Sequence, residues 1–262
     1  PQMQWGESEA AAHYSPAVLI GVLDHLGSLP LMVASNAFIP MATLSYAGQL
    51  GPAAPLIDPV EFEVDIGMLG ETVRHCNVAV HSHNQLCMQG GLSFIAGALP
   101  GTVPSMMEPE TSASDTKQPQ IEQQTEWQPA DDTYNPQAQH FGQWLQLQTV
   151  QPIGPDTDSQ HWLTHAAYGE HLIGSRTFPA LHGGATAAFL VQSALELAQS
   201  MGYPVLANFA IDYLRSGKPE PIELTLTTLH RSRRAWTVSV RLLQQEQKRL
   251  VAQAQLHFTS NY

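Results

Sequence analysis

The stretch LHGGATAAFLVQSALELAQSM, residues 181–201, decides how the rest of the chain is interpreted. It predicts a long helix that is apolar on all sides and is closed by Gly202. The helix opens with His182-Gly183-Gly184, where free backbone N–H groups carry positive partial charge and glycine lets an acceptor come close. This start can therefore bind a developing negative charge. The alternative is a helix start that needs glycine only for packing.

A second apolar helix is predicted near the N-terminus. Ser15 can cap it, Pro16 suits its first turn, and it runs through AVLIGVLDHLGS, residues 17–28, before a kink or an end near Pro30. Its most unusual residue is Asp24, because a carboxylate that is buried without a partner is costly. We therefore expect Asp24 to face a cavity, where acids with shifted pKa values are candidates for function. The alternative is an aspartate that reaches solvent.

The elements around the two helices occur in a similar order. Strands are predicted at 41–50, 60–68, 72–81 and 86–95 after the first helix, and at 205–214, 222–230, 235–243 and 249–258 after the second. Two further strands, at 144–150 and 161–168, precede the second helix. Matched positions in the two halves lie 162 to 167 residues apart, which predicts one fold used twice. A meander of amphipathic strands could, however, also be aligned in this way.

The candidate chemistry is divided between the two copies. Asp24 in the first helix matches Val191 in the second. Conversely, Ser15-Pro16-Ala17 stands where the second helix has its glycine-rich start. Neither half contains a complete site, so the sequence predicts one active site built from both halves.

Composition divides the chain into three parts. We assign residues 1–99 to the first repeat, 100–139 to a linker and 140–262 to the second repeat. The linker is rich in Pro, Gln, Ser, Thr and acids and has no sustained apolar period, which predicts an extended segment.

Charge and composition exclude several classes of function. The chain has 262 residues, 43% hydrophobic and 13% charged, and a net charge of −12, which makes it a poor nucleic-acid binder. Apolar stretches such as 17–23 and 29–34 are too short to span a bilayer, so no membrane segment is predicted. Its two cysteines, Cys76 and Cys87, offer no disulfide framework and predict a cytoplasmic protein. The twelve histidines include no two pairs at recognisable ligand spacing, so no metal site is predicted.

Several stretches resemble the hotdog-fold acyl-CoA thioesterases, particularly the phenylacetate-pathway type. They are PALHGGATAAFL (179–190), FAIDYLRSGK (209–218) and HRSRRAWTVSVRL (230–242), with weaker counterparts at 18–27 and 67–90. The resemblance implies an α+β double hotdog, in which each of two curved antiparallel sheets wraps around a central helix. It also implies that paired repeats can associate into a homo-oligomer.

For function, the resemblance implies hydrolysis of an acyl-CoA thioester to the free acid and CoA. The substrate is then a small molecule, and no cofactor is needed beyond the CoA that the substrate carries. Asp24 would act as general base or nucleophile across the interface, the Gly183 amide would stabilise the oxyanion, and Thr43 would orient the attacking water. His182 and Gly184 would help to position the substrate. Thr43, which aligns approximately with Ala207, is equally well explained as an ordinary strand residue.

The same resemblance assigns a role to basic residues of the second repeat. Eight of the eleven Lys and Arg residues lie between positions 215 and 249. Arg231 and Arg233 are predicted on one face of a strand, Arg234 on the other, and Arg215 and Lys218 follow a neighbouring strand. In the family this region lies near the CoA phosphates, which guanidinium groups suit. The alternative is charge that keeps an exposed strand from aggregating.

Two other functions are compatible with these observations. A hotdog dehydratase or hydratase acting on acyl thioesters would need a catalytic histidine paired with an acid, and His13, His25 and His182 are imperfect candidates. A non-catalytic acyl-CoA binding module would bind CoA esters without turnover.

Overall fold

The computed structural model describes residues 14–35, 41–51, 60–97, 145–153, 160–169, 172–174, 179–244 and 248–260. The predicted linker 100–139 and His13 lie outside these ranges. The elements, in chain order, are α1 (Pro16–Ala34), β1 (Met41–Leu50), β2 (Val60–Leu69), β3 (Val73–Ser82), β4 (Gln85–Ala96), β5 (Gln151–Pro152), β6 (His161–Ala166), α2 (Gly183–Ser200), β7 (Val205–Tyr213), β8 (Ile222–Arg231), β9 (Ala235–Gln244) and β10 (Arg249–Thr259).

The ten strands form one antiparallel sheet in the order β2-β3-β4-β1-β7-β10-β9-β8-β6-β5. Strands β1–β4 pack around α1, and strands β7–β10 pack around α2. The two halves meet where β1 pairs with β7, with Ala47 opposite Ala210 near the middle of the ladder. Each half is thus a helix followed by four antiparallel strands, as the sequence predicts.

The two helices differ in how completely they are buried. Most side chains of α2 are buried, whereas α1 leaves Val22, Leu29 and Val33 exposed. With 19 residues and a mean hydropathy of 1.8, α1 is long and apolar enough by length and composition to cross a membrane. In this fold its residues Leu19 and Leu23 lie in the core. A buried core helix can be as long and as apolar as a helix that crosses a membrane.

Two predicted boundaries are wrong. Of the kink or end predicted near Pro30, the end is wrong, because α1 continues to Ala34. Proline there removes one backbone N–H, and Leu31 anchors the last turn in the core. Of the strand predicted at 144–150, the described part contains only the isolated bridge of Leu147, and the strand β5 is limited to Gln151–Pro152, since proline cannot donate to a ladder.

A β-bulge in each central strand defines how the two halves correspond. Leu44 is skipped in the pairing of β1 with β4, and Ala207 is skipped in the pairing of β7 with β10. Because both bulges occupy the same place in their strands, Leu44 corresponds to Ala207. Thr43 therefore corresponds to Leu206, one residue before the position expected from the sequence. The bulge also turns both Thr43 and Tyr46 towards the helices although they are three residues apart.

Candidate active site

The helices α1 and α2 cross in opposite directions, with Gly21 against Gly184. A Cβ on Gly21 would lie 2.8 Å from the Gly184 carbonyl oxygen, and a Cβ on Gly184 would overlap the Gly21 carbonyl. Further along, the Ser15 hydroxyl donates to the Gln192 side chain at 3.3 Å. Two glycines are thus required at the crossing, and they bring the N-terminus of α2 against the middle of α1.

Asp24 lies at this crossing and is only 4% exposed. The Thr43 hydroxyl donates to its Oδ1 at 2.8 Å. The Tyr213 hydroxyl and the Gly184 backbone N–H also interact with the carboxylate, although their shortest hydrogen bonds go to the Gly183 carbonyl and to His182 Nδ1. Burial raises the pKa of Asp24 to about 6, although these three hydrogen bonds oppose the shift by favouring the charged form. The site therefore holds a carboxylate whose pKa lies near neutrality and whose Oδ1 is oriented by the Thr43 hydroxyl.

His182 caps the start of α2. Its Nδ1 accepts the Gly184 N–H at 2.9 Å, and its ring lies 5.5 Å from the ring of His25. Burial, and then the proximity of His25, lower the pKa of His182. Both effects favour the neutral ring, which the capping bond requires because a protonated Nδ1 cannot accept. The structure thus gives His182 a capping role next to the carboxylate.

Gly183 faces the carboxylate directly. A Cβ on Gly183 would lie 2.5 Å from Asp24 Oδ2 and 3.0 Å from Thr43 Oγ1. The Gly183 N–H makes no hydrogen bond to any described residue, so a donor at the helix N-terminus is left for a ligand. Asp24, Thr43 and Gly183, which the sequence singled out separately, are therefore brought together, with Gly184 beside them.

The pseudo-equivalent location, where the N-terminus of α1 meets α2, has none of these groups. Val191 takes the place of Asp24, Leu206 that of Thr43, and Pro16, which has no N–H, stands at the helix start. Val191 and Leu206 are both buried in the apolar core. Within the described residues, only one of the two helix starts faces an acid.

The five predicted phosphate-binding residues fall into two groups. Arg215 and Lys218 lie in the β7–β8 loop, which packs next to the site because the Leu181 N–H donates to the Gly217 carbonyl at 2.9 Å. Lys218 also forms an ion pair with Glu220 at 3.7 Å.

Arg231, Arg233 and Arg234 lie at the other end of α2. The Tyr203 hydroxyl, just beyond that end, donates to the Ser232 carbonyl at 2.6 Å, between the arginines. The 18 residues of α2 separate this hairpin from Gly183, a distance of about 27 Å at ~1.5 Å per residue. The structure therefore does not bring these arginines to Asp24. The predicted strand faces are wrong for Arg233 and Arg234, because β8 ends at Arg231 and both residues lie in the turn before β9. Strand alternation also does not tell which end of a strand lies at the site.

Tyr213 is the site residue that the sequence reasoning missed. It is the last residue of β7, on the inward side that also carries Phe209 and Ile211. Its hydroxyl donates to the Gly183 carbonyl oxygen at 3.3 Å and also interacts with the Asp24 carboxylate. Alternation along FAIDYL places it inward, but only the pairing of β1 with β7 puts it beside Thr43. Across the described ranges, no group of three or more His, Cys, Asp or Glu side chains could hold a metal ion.

Comparisons with known proteins agree with this architecture. Residues 175–259, most of the second repeat, match the family described as acyl-CoA thioesterase N-terminal domain. No curated protein sequence matches the chain. An acyl-CoA thioesterase II from Mycobacterium marinum is 17% identical with a TM-score of 0.57, over 93% of this chain and 90% of that one. A hot dog fold protein of unknown function from Alicyclobacillus acidocaldarius is 11% identical with a TM-score of 0.59, over 98% and 90%. These similarities confirm the double-hotdog fold.

Proposed function

We propose that this chain, a hotdog-fold member of the thioesterase superfamily, hydrolyses an acyl-CoA thioester to the free acid and CoA at the single site between α1 and α2. One observation carries the proposal. A buried carboxylate with a pKa of about 6, Asp24, lies against a helix N-terminus whose Gly183 N–H is available to a ligand. A proton acceptor and an oxyanion donor are thus held within a few ångströms of each other, as acyl transfer to water requires.

The geometry supports a general-base mechanism. Asp24 is ionised at neutral pH and takes a proton from a water molecule that Thr43 helps to hold. The water oxygen bonds to the thioester carbonyl carbon, and the resulting oxyanion accepts the Gly183 N–H at the positive end of α2. Collapse of this intermediate breaks the carbon–sulfur bond, and the CoA thiolate leaves and recovers the proton from Asp24. A base with a pKa close to the working pH suits both proton transfers.

The β7–β8 loop is the best-placed binding surface for the CoA part of the substrate. Arg215 and Lys218 are exposed and lie beside the glycine-rich start of α2, and their charges suit the phosphates of CoA. Arg231, Arg233 and Arg234 would have to contact parts of a ligand far from the reacting carbonyl.

The dehydratase alternative is less well supported by the contacts of the acid. Asp24 accepts from Thr43 and interacts with Tyr213 and the Gly184 amide, and these described partners include no histidine. His182, the nearest candidate, uses its Nδ1 to cap α2. A histidine–acid pair of the kind that a dehydratase needs is therefore not formed between these residues.

A thiol-release assay on a panel of short, aromatic and long acyl-CoA esters tests the proposal. We expect the wild-type chain to release CoA from at least one ester, and Asp24→Asn to lose about a hundredfold or more of the rate. Asp212→Asn is the matched control, because Asp212 lies on the exposed side of β7 and bonds to Gln253. If the wild type binds CoA esters but releases no thiol, the chain is a binding module. If Asp24→Asn keeps more than about a tenth of the rate, Asp24 is not the base.

A further inference from the structure

We propose that Tyr213 is a positioning residue that holds the Asp24 carboxylate in line with the Gly183 and Gly184 amides. The inference rests on the proposed hydrolysis at this site and adds a fourth side chain to it. Tyr213 belongs to the second repeat and Asp24 to the first, so the contact joins the two halves at the point where the reaction would occur.

The strand pairing places Tyr213 where it can act. Ser45 pairs with Asp212, so the next residue of β7, Tyr213, lies beside the bulge at Leu44 and next to Thr43. From there its hydroxyl reaches two acceptors, the Asp24 carboxylate and the Gly183 carbonyl oxygen at 3.3 Å. A tyrosine hydroxyl has one proton to donate, so it serves one acceptor at a time. It holds the carboxylate while Asp24 is charged and can turn to the carbonyl once Asp24 has taken a proton.

The pseudo-equivalent location shows that the fold itself does not require a hydroxyl here. The β1–β7 ladder is centred on Ala47 and Ala210, and Leu50 and Tyr213 each follow the central alanine by three residues. Leu50 packs against the core in the same manner as Tyr213, without any polar group. The ladder thus supplies Tyr213 at the location that contains Asp24. It supplies Leu50 at the pseudo-equivalent location, which contains Val191. The polar groups occur together at one location and are absent together from the other.

Tyr46 offers a matched control on the neighbouring strand. It is fully buried and close enough to Asp24 for the negative charge to contribute to the raised pKa of its hydroxyl. Its hydroxyl, however, has no hydrogen-bond partner among the described residues. The variants Tyr213→Phe and Tyr46→Phe therefore remove the same atom at similar depth, but only the first breaks a bond to the carboxylate.

The experiment compares these two variants in full-length protein by two independent measurements. The first is a carbon-13 NMR titration of the Asp24 carboxyl, which needs no activity. Loss of a donor to the charged form should raise the pKa of Asp24 by about 1 in Tyr213→Phe and leave it unchanged in Tyr46→Phe. The second is the pH profile of kcat/KM. In Tyr213→Phe its acidic limb should move to higher pH, and kcat should fall about tenfold to a hundredfold with KM within about twofold.

The outcomes separate this proposal from the proposed function. A raised Asp24 pKa in a protein that hydrolyses none of the esters supports the positioning role and overturns hydrolysis. Hydrolysis with an unshifted pKa and an unchanged profile in Tyr213→Phe overturns the positioning role alone. In an Asp24→Asn background, Tyr213→Phe should cause no further loss of kcat, because the group that it positions is gone. A further loss as large as in the wild type would show that Tyr213 acts on something other than Asp24.

Discussion

Replacing Asp24 by Asn is expected to abolish hydrolysis and, at neutral pH, to raise the free energy of unfolding. The reason is the position of the carboxylate. Asp24 is 4% exposed, and burial raises its pKa from 3.8 to about 6 even though Thr43, Tyr213 and the Gly184 amide favour its charged form. The charged form that the chemistry needs is thus held at a cost to the folded state, and asparagine has nearly the same shape without the charge.

The pKa shift sets the size and the sign of the effect. Between pH 3.8 and about 6, folded Asp24 retains a proton that the unfolded chain has released, so stability falls as the pH rises through this window. Ionising Asp24 therefore costs about 3 kcal/mol more in the folded chain than in the unfolded chain. Asparagine offers one acceptor fewer to the surrounding donors, which costs about 1 kcal/mol. We therefore expect Asp24→Asn to be more stable than the wild type by about 2 kcal/mol above pH 6, with an advantage that disappears near pH 4.

Urea unfolding of both proteins, followed by tryptophan fluorescence from about pH 4.5 to 7.5, measures this difference. The difference between the two proteins' free energies of unfolding at each pH cancels the contributions of the groups that both proteins share. Asp212→Asn makes the same chemical change at an exposed position and serves as the control variant. A constant difference across this range, or a variant that is less stable than the wild type at neutral pH, would show that Asp24 is not held at a raised pKa.

Three further outcomes are expected. Gly183→Ala should lower kcat about a hundredfold or more, because its Cβ would lie 2.5 Å from Asp24 Oδ2; an alanine variant with normal kcat would contradict the contact. A single turnover in oxygen-18 water should label the product acid and leave the Asp24 carboxyl unlabelled in mass spectra, since a base does not bond to the substrate; label in Asp24 would identify it as a nucleophile instead. Arg215→Ala should raise KM for the best acyl-CoA and weaken its dependence on salt, with little change in kcat, whereas Arg231→Ala should change KM less; the reverse order would place the phosphates at the other end of α2.

Much of the fold was predictable from local sequence. The four strands that follow each helix and the start of α1 at Ser15 were predicted to within a few residues, because apolar periods of 2 and 3.6 reflect which side of an element is buried. The division of the candidate site was also visible, since Asp24 and Val191 are unlike residues in similar helices. The position of Arg231 relative to Asp24 could not be predicted from the sequence, because a period indicates which face a residue occupies but not which end of the strand meets the site.

The sequence by itself predicted the elements and their repetition, and together with the family resemblance it indicated three of the candidate groups, Asp24, Thr43 and Gly183. Only the tertiary structure decided that these groups meet, that Tyr213 joins them, and that Thr43 matches Leu206. The meeting depends on the close crossing of α1 with α2 and on the pairing of β1 with β7. Both are contacts between residues more than 150 positions apart. Such contacts arise from many weak packing interactions summed over the whole core, which no local pattern in the chain reports.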